Sequence, residues 1–379
     1  MQYKARHYST GKAIMLETDG GRITAINDID SGDGLPFAGP PLVDMQVNGY
    51  LGRDINDAAG TSPEDLRIIT DIFLELGISY WLPTIITNSE ESILKLLANV
   101  KEAIDSIPAV KRAVPGIHVE GPFITPDDGP RGAHDRRYVR APDIEEYRRW
   151  QAACDNMIRI VTLGPEYDEA PAFIEALVAD GVVASLGHCN ADRGQIKRAV
   201  DAGASLATHL GNGAHPLVPR HHSYIWELLA EDRVWAGLIG DGFHLPQAQL
   251  QNFIRAKRVA KTVLTSDTVH LGGMEPGEYK LGDLSVRMQP EGKIVLADND
   301  DIMAGASFHL LFSIQNAVKL AGRSPAEAWT MASINPAHMM RWNEYPDMTV
   351  GSEAVFALFN WTDDNQLRIE PIVDERGDH

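Results

Sequence analysis

Cysteine is nearly absent from this chain: Cys154 and Cys189 are the only two among 379 residues. Two thiols exclude a disulfide framework and a cysteine-rich zinc cluster. Positive charge is scarce as well. Lys and Arg number 34 against 53 Asp and Glu, a formal charge of −19. A surface of that sign repels phosphate backbones, so no nucleic-acid partner is expected. Long apolar runs are missing: none approaches the roughly 20 residues that a membrane span needs. The opening residues Met1-Gln2-Tyr3-Lys4-Ala5-Arg6-His7 lack the apolar core of a secretory signal. No membrane partner is expected, and the chain reads as cytoplasmic. There is also no internal repeat and no low-complexity tract.

What remains is the composition of a globular chain, 44% hydrophobic and 23% charged, long enough to bury a large core. From residue 42 onward, apolar runs of strand length recur at 42–47, 80–86, 116–119, 157–163, 182–186, 205–208, 234–239 and 262–264. Helical stripes fill most of the gaps. Leu66, Ile69, Phe73 and Leu76 follow a helix start at Thr61-Ser62-Pro63-Glu64-Asp65 and stop at Gly77. Ile93, Leu96, Leu97, Val100 and Ile104 form another stripe, and Ile196, Ala199 and Val200 a shorter one ending at Gly203. Continuous apolar strands alternating with helices predict a (β/α)8 barrel over 42–345. No Gly-x-Gly-x-x-Gly follows a strand, which argues against a doubly wound sheet. The chain start has β-like pieces at 13–17 and 22–26 around Gly20-Gly21, and β character returns at 354–359 and 367–369. Residues 1–41 and 346–379 are therefore expected to pair into one small sheet domain. Helices are expected over 305–321 and 324–333, with Pro336 following the second.

Barrel enzymes carry their chemistry at the C-terminal strand ends. Here those ends read Asp44-Met45-Gln46-Val47-Asn48-Gly49, His118-Val119-Glu120-Gly121-Pro122, His188, His209 with Asn212, Asp241-Gly242-Phe243-His244 and Ser266-Asp267. A carboxylate, two imidazoles and a further aspartate on separate strands make a divalent-metal site with three protein ligands and an open position. A metal so placed brings the pKa of bound water towards neutrality. A lone histidine is more often a hydrogen-bonded core residue, so the joint pattern carries the inference. His7, His221, His222, His270, His309, His338 and His379 lack such placement and are read as surface or packing residues. Cys189 should face the core, because neighbours on a strand end point opposite ways.

Several motifs together resemble the N-acetylglucosamine-6-phosphate deacetylases of the amidohydrolase superfamily. They are Gln46-Val47-Asn48-Gly49, His118-Val119-Glu120-Gly121-Pro122-Phe123, Gly132-Ala133-His134, Gly187-His188-Cys189-Asn190, Thr208-His209-Leu210-Gly211-Asn212, Gly240-Asp241-Gly242-Phe243-His244, Thr265-Ser266-Asp267, Met303-Ala304-Gly305 and Met331-Ala332-Ser333-Ile334-Asn335-Pro336-Ala337. The resemblance implies a barrel with a small β-sandwich, and hydrolysis of the N-acetyl amide of an amino sugar to acetate and free amine. It implies that Glu120, His188 and His209 bind the metal, that Asp267 is general base and then acid, and that His134 supports the oxyanion. It implies substrate contacts from Ala133, His134, Asn212 and Gly213, and from Asp241, His244, Met303, Ala304 and Gly305. Gln46 and Asn48 stand where many amidohydrolases carry His-x-His for a second metal. One divalent ion per chain is expected, zinc first, with iron, manganese or cobalt as alternatives. A homodimer is expected from the same resemblance. The chain departs from the family after its sixth strand: Ser223-Tyr224 follows His221-His222 where the family has Arg-Glu, which leaves open a substrate without a 6-phosphate or a different N-acyl or cyclic amide.

Overall fold

The computed structural model describes residues 1–282 and 284–376; His379, expected to be a surface or packing residue, lies outside them. Eight strands form one parallel sheet in chain order: β1 (Val43–Val47), β2 (Tyr80–Ile86), β3 (Ile117–Glu120), β4 (Ile158–Leu163), β5 (Val183–Leu186), β6 (Leu206–Ala207), β7 (Trp235–Ile239) and β8 (Thr262–Thr265). A helix follows each: α1 (Pro63–Glu75), α2 (Glu90–Ser106), α3 (Ile144–Ala153), α4 (Ala170–Ala179), α5 (Arg193–Asp201), α6 (Tyr224–Ala230), α7 (Gln247–Lys257) and α8 (Leu310–Lys319). This is the expected (β/α)8 barrel. Its strands are buried on both faces, which is why they read as unbroken apolar runs. The helices bury the predicted stripes: Leu66, Ile69 and Phe73 on α1, and Ile196, Ala199 and Val200 on α5. Local chemistry sets their starts. On α5, Asp192 accepts the Gln195 N–H and Gln195 accepts the Asp192 N–H, both at 2.8 Å.

At the seam between β8 and β1 no regular ladder joins the two strands among the described residues. Pairing resumes just beyond β8, where Val47 bridges Thr268. There the Asp267 N–H donates to the Gln46 carbonyl at 3.0 Å and the Asn48 N–H to the Thr268 carbonyl at 2.8 Å.

Both chain ends share one seven-stranded sheet. Gln2–His7, Ala13–Asp19, Arg22–Asp28 and Phe37–Gly39 come from the start, Val355–Trp361, Leu367–Ile369 and Val373–Asp374 from the end. Gly20 and Gly21 make the hairpin turn with φ of 55° and 73°, which glycine adopts without a Cβ penalty. Arg22 bridges Glu353, so the sheet folds back on itself. Trp329 stacks on Phe359 with centroids 3.8 Å apart and anchors this sheet to the helix Pro325–Ala332.

Three features stand apart from the sequence reading. A four-stranded antiparallel sheet, Gly277–Leu281, Leu284–Met288, Ile294–Leu296 and Asn299–Met303, stands between β8 and α8. The helix expected from residue 305 begins only at Leu310, because the chain before it is held out of helical conformation: Ala306 bridges Thr268, and Gly305 has φ 97°. Pro336 follows the helix Pro325–Ala332, as expected, and itself lies in a further short helix, Ile334–Met339, where its first-turn position tolerates a missing N–H.

Candidate active site

Glu120 is the last residue of β3, and His188 and His209 each stand two residues beyond β5 and β6. The chain turns sharply there. His188 and His209 have φ of 49° and 28°, and Asp267, two residues past β8, has 53°. These are left-handed conformations that cost a non-glycine residue on the order of 1 kcal/mol or more. The turns swing the three side chains over the barrel mouth. His188, His209, Glu120 and His134 are buried, and Asp267 is partly buried beside them.

The Glu120 Oε1 atom lies 3.2 Å from His188 Nε2 and 2.9 Å from His209 Nε2, and the two imidazole atoms are 2.9 Å apart. The protonation pattern makes this spacing informative. His188 Nδ1 is 2.7 Å from the Pro130 carbonyl, which can only accept, so Nδ1 carries the hydrogen, and in the neutral ring Nε2 presents a lone pair. A lone pair and a carboxylate oxygen repel unless a proton or cation sits between them. Ligand atoms around a tetrahedral first-row ion stand roughly 3.3 Å apart, close to what is seen. The donor set therefore fits a divalent cation.

His134 lies against this triad, its Nε2 3.2 Å from His188 Nε2. Donor atoms of Glu120, His134 and His188 fall within 4.8 Å of one another, so geometry also admits His134 as a ligand. His209 is the tighter third member, because its Nε2 approaches both other donors. His134 Nδ1 bonds the Thr87 hydroxyl at 2.7 Å. Burial, and then the neighbouring His188 imidazole, lower its pKa to about 3, so the ring is neutral and can present an N–H to the site. Burial raises the Glu120 carboxyl, but the His188 and His209 imidazoles beside it outweigh that and hold the group well below the usual range.

Asp267 is positioned by the first strand. Asn48 Nδ2 donates to its Oδ1 at 2.8 Å. Burial, and then the nearby Glu120 charge, push its pKa up. Such a carboxylate is a stronger base than an exposed one. The polar pair Gln46 and Asn48 thus both touch the Asp267 turn, Gln46 through its carbonyl.

The expected substrate contacts fall into two groups around this centre. Gly213 and Gly132 pack on the His188 ring: a Cβ on either would stand 2.7 and 3.2 Å from it. Ala133 lies exposed on the same loop as Gly132, and Asn212 follows His209, bonding its carbonyl through N–H at 2.9 Å. Across the mouth, Met303, Ala304 and Gly305 run beside the Asp267 turn, where Val269 donates to the Ala306 carbonyl at 2.9 Å. Asp241 and His244 hold each other at 2.7 Å, and Asp241 Oδ1 also accepts the Phe243 and His244 N–H groups. That pair is thus a braced unit at the end of β7.

Thr87 directly follows β2, but a single threonine at a strand end carries no ligand signal in the sequence. A buried hydroxyl chain beneath the centre carries no such signal either. Thr162 Oγ1 is 2.7 Å from both His118 Nε2 and Thr208 Oγ1, and Ser185 Oγ is 2.5 Å from Thr208 Oγ1. Cys189 is buried, as expected.

Fold and site together define a class: a (β/α)8-barrel hydrolase of the amidohydrolase kind, with a carboxylate–imidazole centre suited to a divalent cation. No family model matches the chain. It is 30% identical over 318 residues to the N-acetylglucosamine-6-phosphate deacetylase of Bacillus subtilis (strain 168), covering 83% of this chain and 78% of that protein. It is 32% identical over 303 residues to the N-acetylgalactosamine-6-phosphate deacetylase of Escherichia coli O157:H7, covering 79% and 77%. The crystal structure of N-acetyl-D-glucosamine-6-phosphate deacetylase from Mycobacterium smegmatis superposes with a TM-score of 0.85 at 25% identity, covering 98% of each chain. The chain belongs to the N-acetylglucosamine-6-phosphate deacetylase family.

Proposed function

We propose that this protein hydrolyses the N-acetyl amide of a 2-acetamido-sugar 6-phosphate, releasing acetate and the free amine. The carrying observation is the meeting of the Glu120–His188–His209 donors with Asp267, which Asn48 holds at 2.8 Å. Glu120, His188 and His209 would hold one divalent ion, zinc first. When bound, such an ion acidifies water and offsets negative charge as it develops. Asp267 takes a proton from the attacking water as oxygen bonds to the acetyl carbon. The His134 Nε2–H donates to the carbonyl oxygen as it gains charge. Asp267 then gives its proton to the amide nitrogen as the C–N bond breaks, since an unprotonated amine anion leaves poorly. Gln46 and Asn48 are neutral amides and weak ligands beside imidazole, which supports a single ion.

Relatives of near-equal identity act on two epimeric sugars, so the hexose is a matter for kinetics. A second reading concerns the phosphate. Ser223 is buried as the cap of α6, its hydroxyl 3.3 Å from the Ile225 N–H, and the Tyr224 hydroxyl accepts the His215 N–H at 2.8 Å. Neither side chain offers a cation to a phosphate, which supports an N-acyl substrate without one. Metal-loaded protein is expected to deacetylate N-acetylglucosamine-6-phosphate or its galacto epimer at least tenfold faster than the free sugars. A reversed ratio favours the second reading, and no turnover of any of the four sinks the first. Leu217 and Trp226 are 89% and 55% exposed beside Arg220, which supports pairing of two copies through this segment. Light scattering should report a dimer, and a monomer would refute it.

A further inference from the structure

We infer that Asp44, a buried carboxylate on β1, is a positioning residue that holds the Asp267 turn in place from beneath. The inference rests on Asp267 being the proton-transfer group, as proposed above. Asp44 is fully buried. Its Oδ1 accepts from the Thr265 hydroxyl at 2.8 Å and from the Ser266 N–H at 3.0 Å. These are the two residues immediately before Asp267. The turn is then pinned at successive points along the same strand. The Asp267 N–H donates to the Gln46 carbonyl at 3.0 Å, and the Ser266 hydroxyl to the same carbonyl at 3.3 Å. Asn48 holds the Asp267 carboxylate and, through its N–H, the Thr268 carbonyl. Because no regular ladder joins β8 to β1 among the described residues, this set of bonds is the barrel closure at that point.

The strained backbone gives Asp44 its leverage. Asp267 has φ 53°, which persists only where its surroundings over-determine it. Asp44 bonds the two residues before Asp267, and Asn48 bonds Asp267 and Thr268, so the turn is held on both sides of the reactive residue. Asparagine at 44 would keep an oxygen but bring an amide N–H₂ to the place of Oδ2, which has no hydrogen-bond partner among the described residues. A buried donor without an acceptor is unfavourable, and the Ser266–Asp267 turn is the neighbour that would shift.

The test is a double-mutant cycle on full-length, metal-loaded protein with the amino-sugar phosphate it turns over. Asp44→Asn is expected to lower kcat about tenfold or more, with KM within about threefold and metal content unchanged, and Thr265→Val to lower kcat by a smaller factor. In an Asp267→Asn background, Asp44→Asn should leave the residual rate unchanged, because the group it positions is gone. A kcat loss that multiplies fully in that background, or a kcat within twofold of wild type in the single variant, overturns the inference. If Asp44→Asn does not fold, Thr265→Val carries the same cycle. A crystal structure of Asp44→Asn, or of Thr265→Val in its place, separates this inference from the functional reading. Asp267 found unmoved on Asn48 refutes positioning, whatever the enzyme turns over; failure of the wild type on all four sugars refutes the function alone.

Discussion

The proposed chemistry rests on three residues in a conformation that side chains avoid. His188, His209 and Asp267 all have left-handed backbones at strand ends, and each turn aims its side chain across the barrel mouth. Because their roles differ, their substitutions should separate. Asp267→Asn is expected to lower kcat by about 10²–10⁴ while the metal remains, since a general acid–base is lost. Glu120→Gln should instead lose metal, read by elemental analysis after dialysis. Equal metal content in both variants would contradict the ligand assignment. His134→Asn removes the N–H offered to the oxyanion and should reduce kcat about 10²–10³-fold with metal retained; a fall in metal content would mark His134 as a ligand. Glu120, His188, His209 and Asp267 were legible in the sequence because polar residues at the ends of apolar runs stand out. Asp44 and Thr87 were not, because the importance of each lies in a partner far along the chain.

Between elements, the buried hydroxyl chain joins four consecutive strands. His118 on β3, Thr162 on β4, Ser185 on β5 and Thr208 just past β6 are all buried, with Thr162 bonded to two of the others. Thr162→Val keeps the shape but leaves His118 and Thr208 each short of a partner, a cost of about 1–3 kcal/mol. Denaturant unfolding should show that loss, and a variant as stable as wild type would show that the chain is dispensable. The eight barrel strands were legible because burial on both faces makes an unbroken apolar run. The four-stranded insert was not. Gly277–Leu281 alternates between half-buried and exposed positions, and Asn299–Met303 opens with polar and acidic residues, so neither carries an apolar signal of strand length.

At the scale of the whole molecule, a cation shared by β3, β5 and β6 should stabilise the folded chain, since unfolded chain holds no such site. Chelation is expected to lower Tm and zinc to restore it; an unchanged Tm would count against a metal bound by these strands. A second dependence comes from Lys257, whose ammonium donates to the Glu231 and Val234 carbonyls at 2.7 and 3.0 Å. Burial lowers its pKa to about 8. The unfolded chain, with the group near ~10.4, then binds the extra proton across this window. Stability of the wild type relative to Lys257→Met should therefore rise from about pH 8 to about pH 10. A flat or falling difference would refute it. Among the described residues no helix is long and apolar enough to cross a membrane. The sequence by itself determined the barrel, the rhythm of its helices and the metal-type strand ends, because each is written in local periodicity and in residues a few positions apart. The tertiary structure alone decided which donors meet, how Asp267 is gripped across the β8–β1 seam and where the inserted sheet stands. Those contacts join residues as far apart as Asp44 and Ser266, and no local pattern records which strand a buried polar group will face.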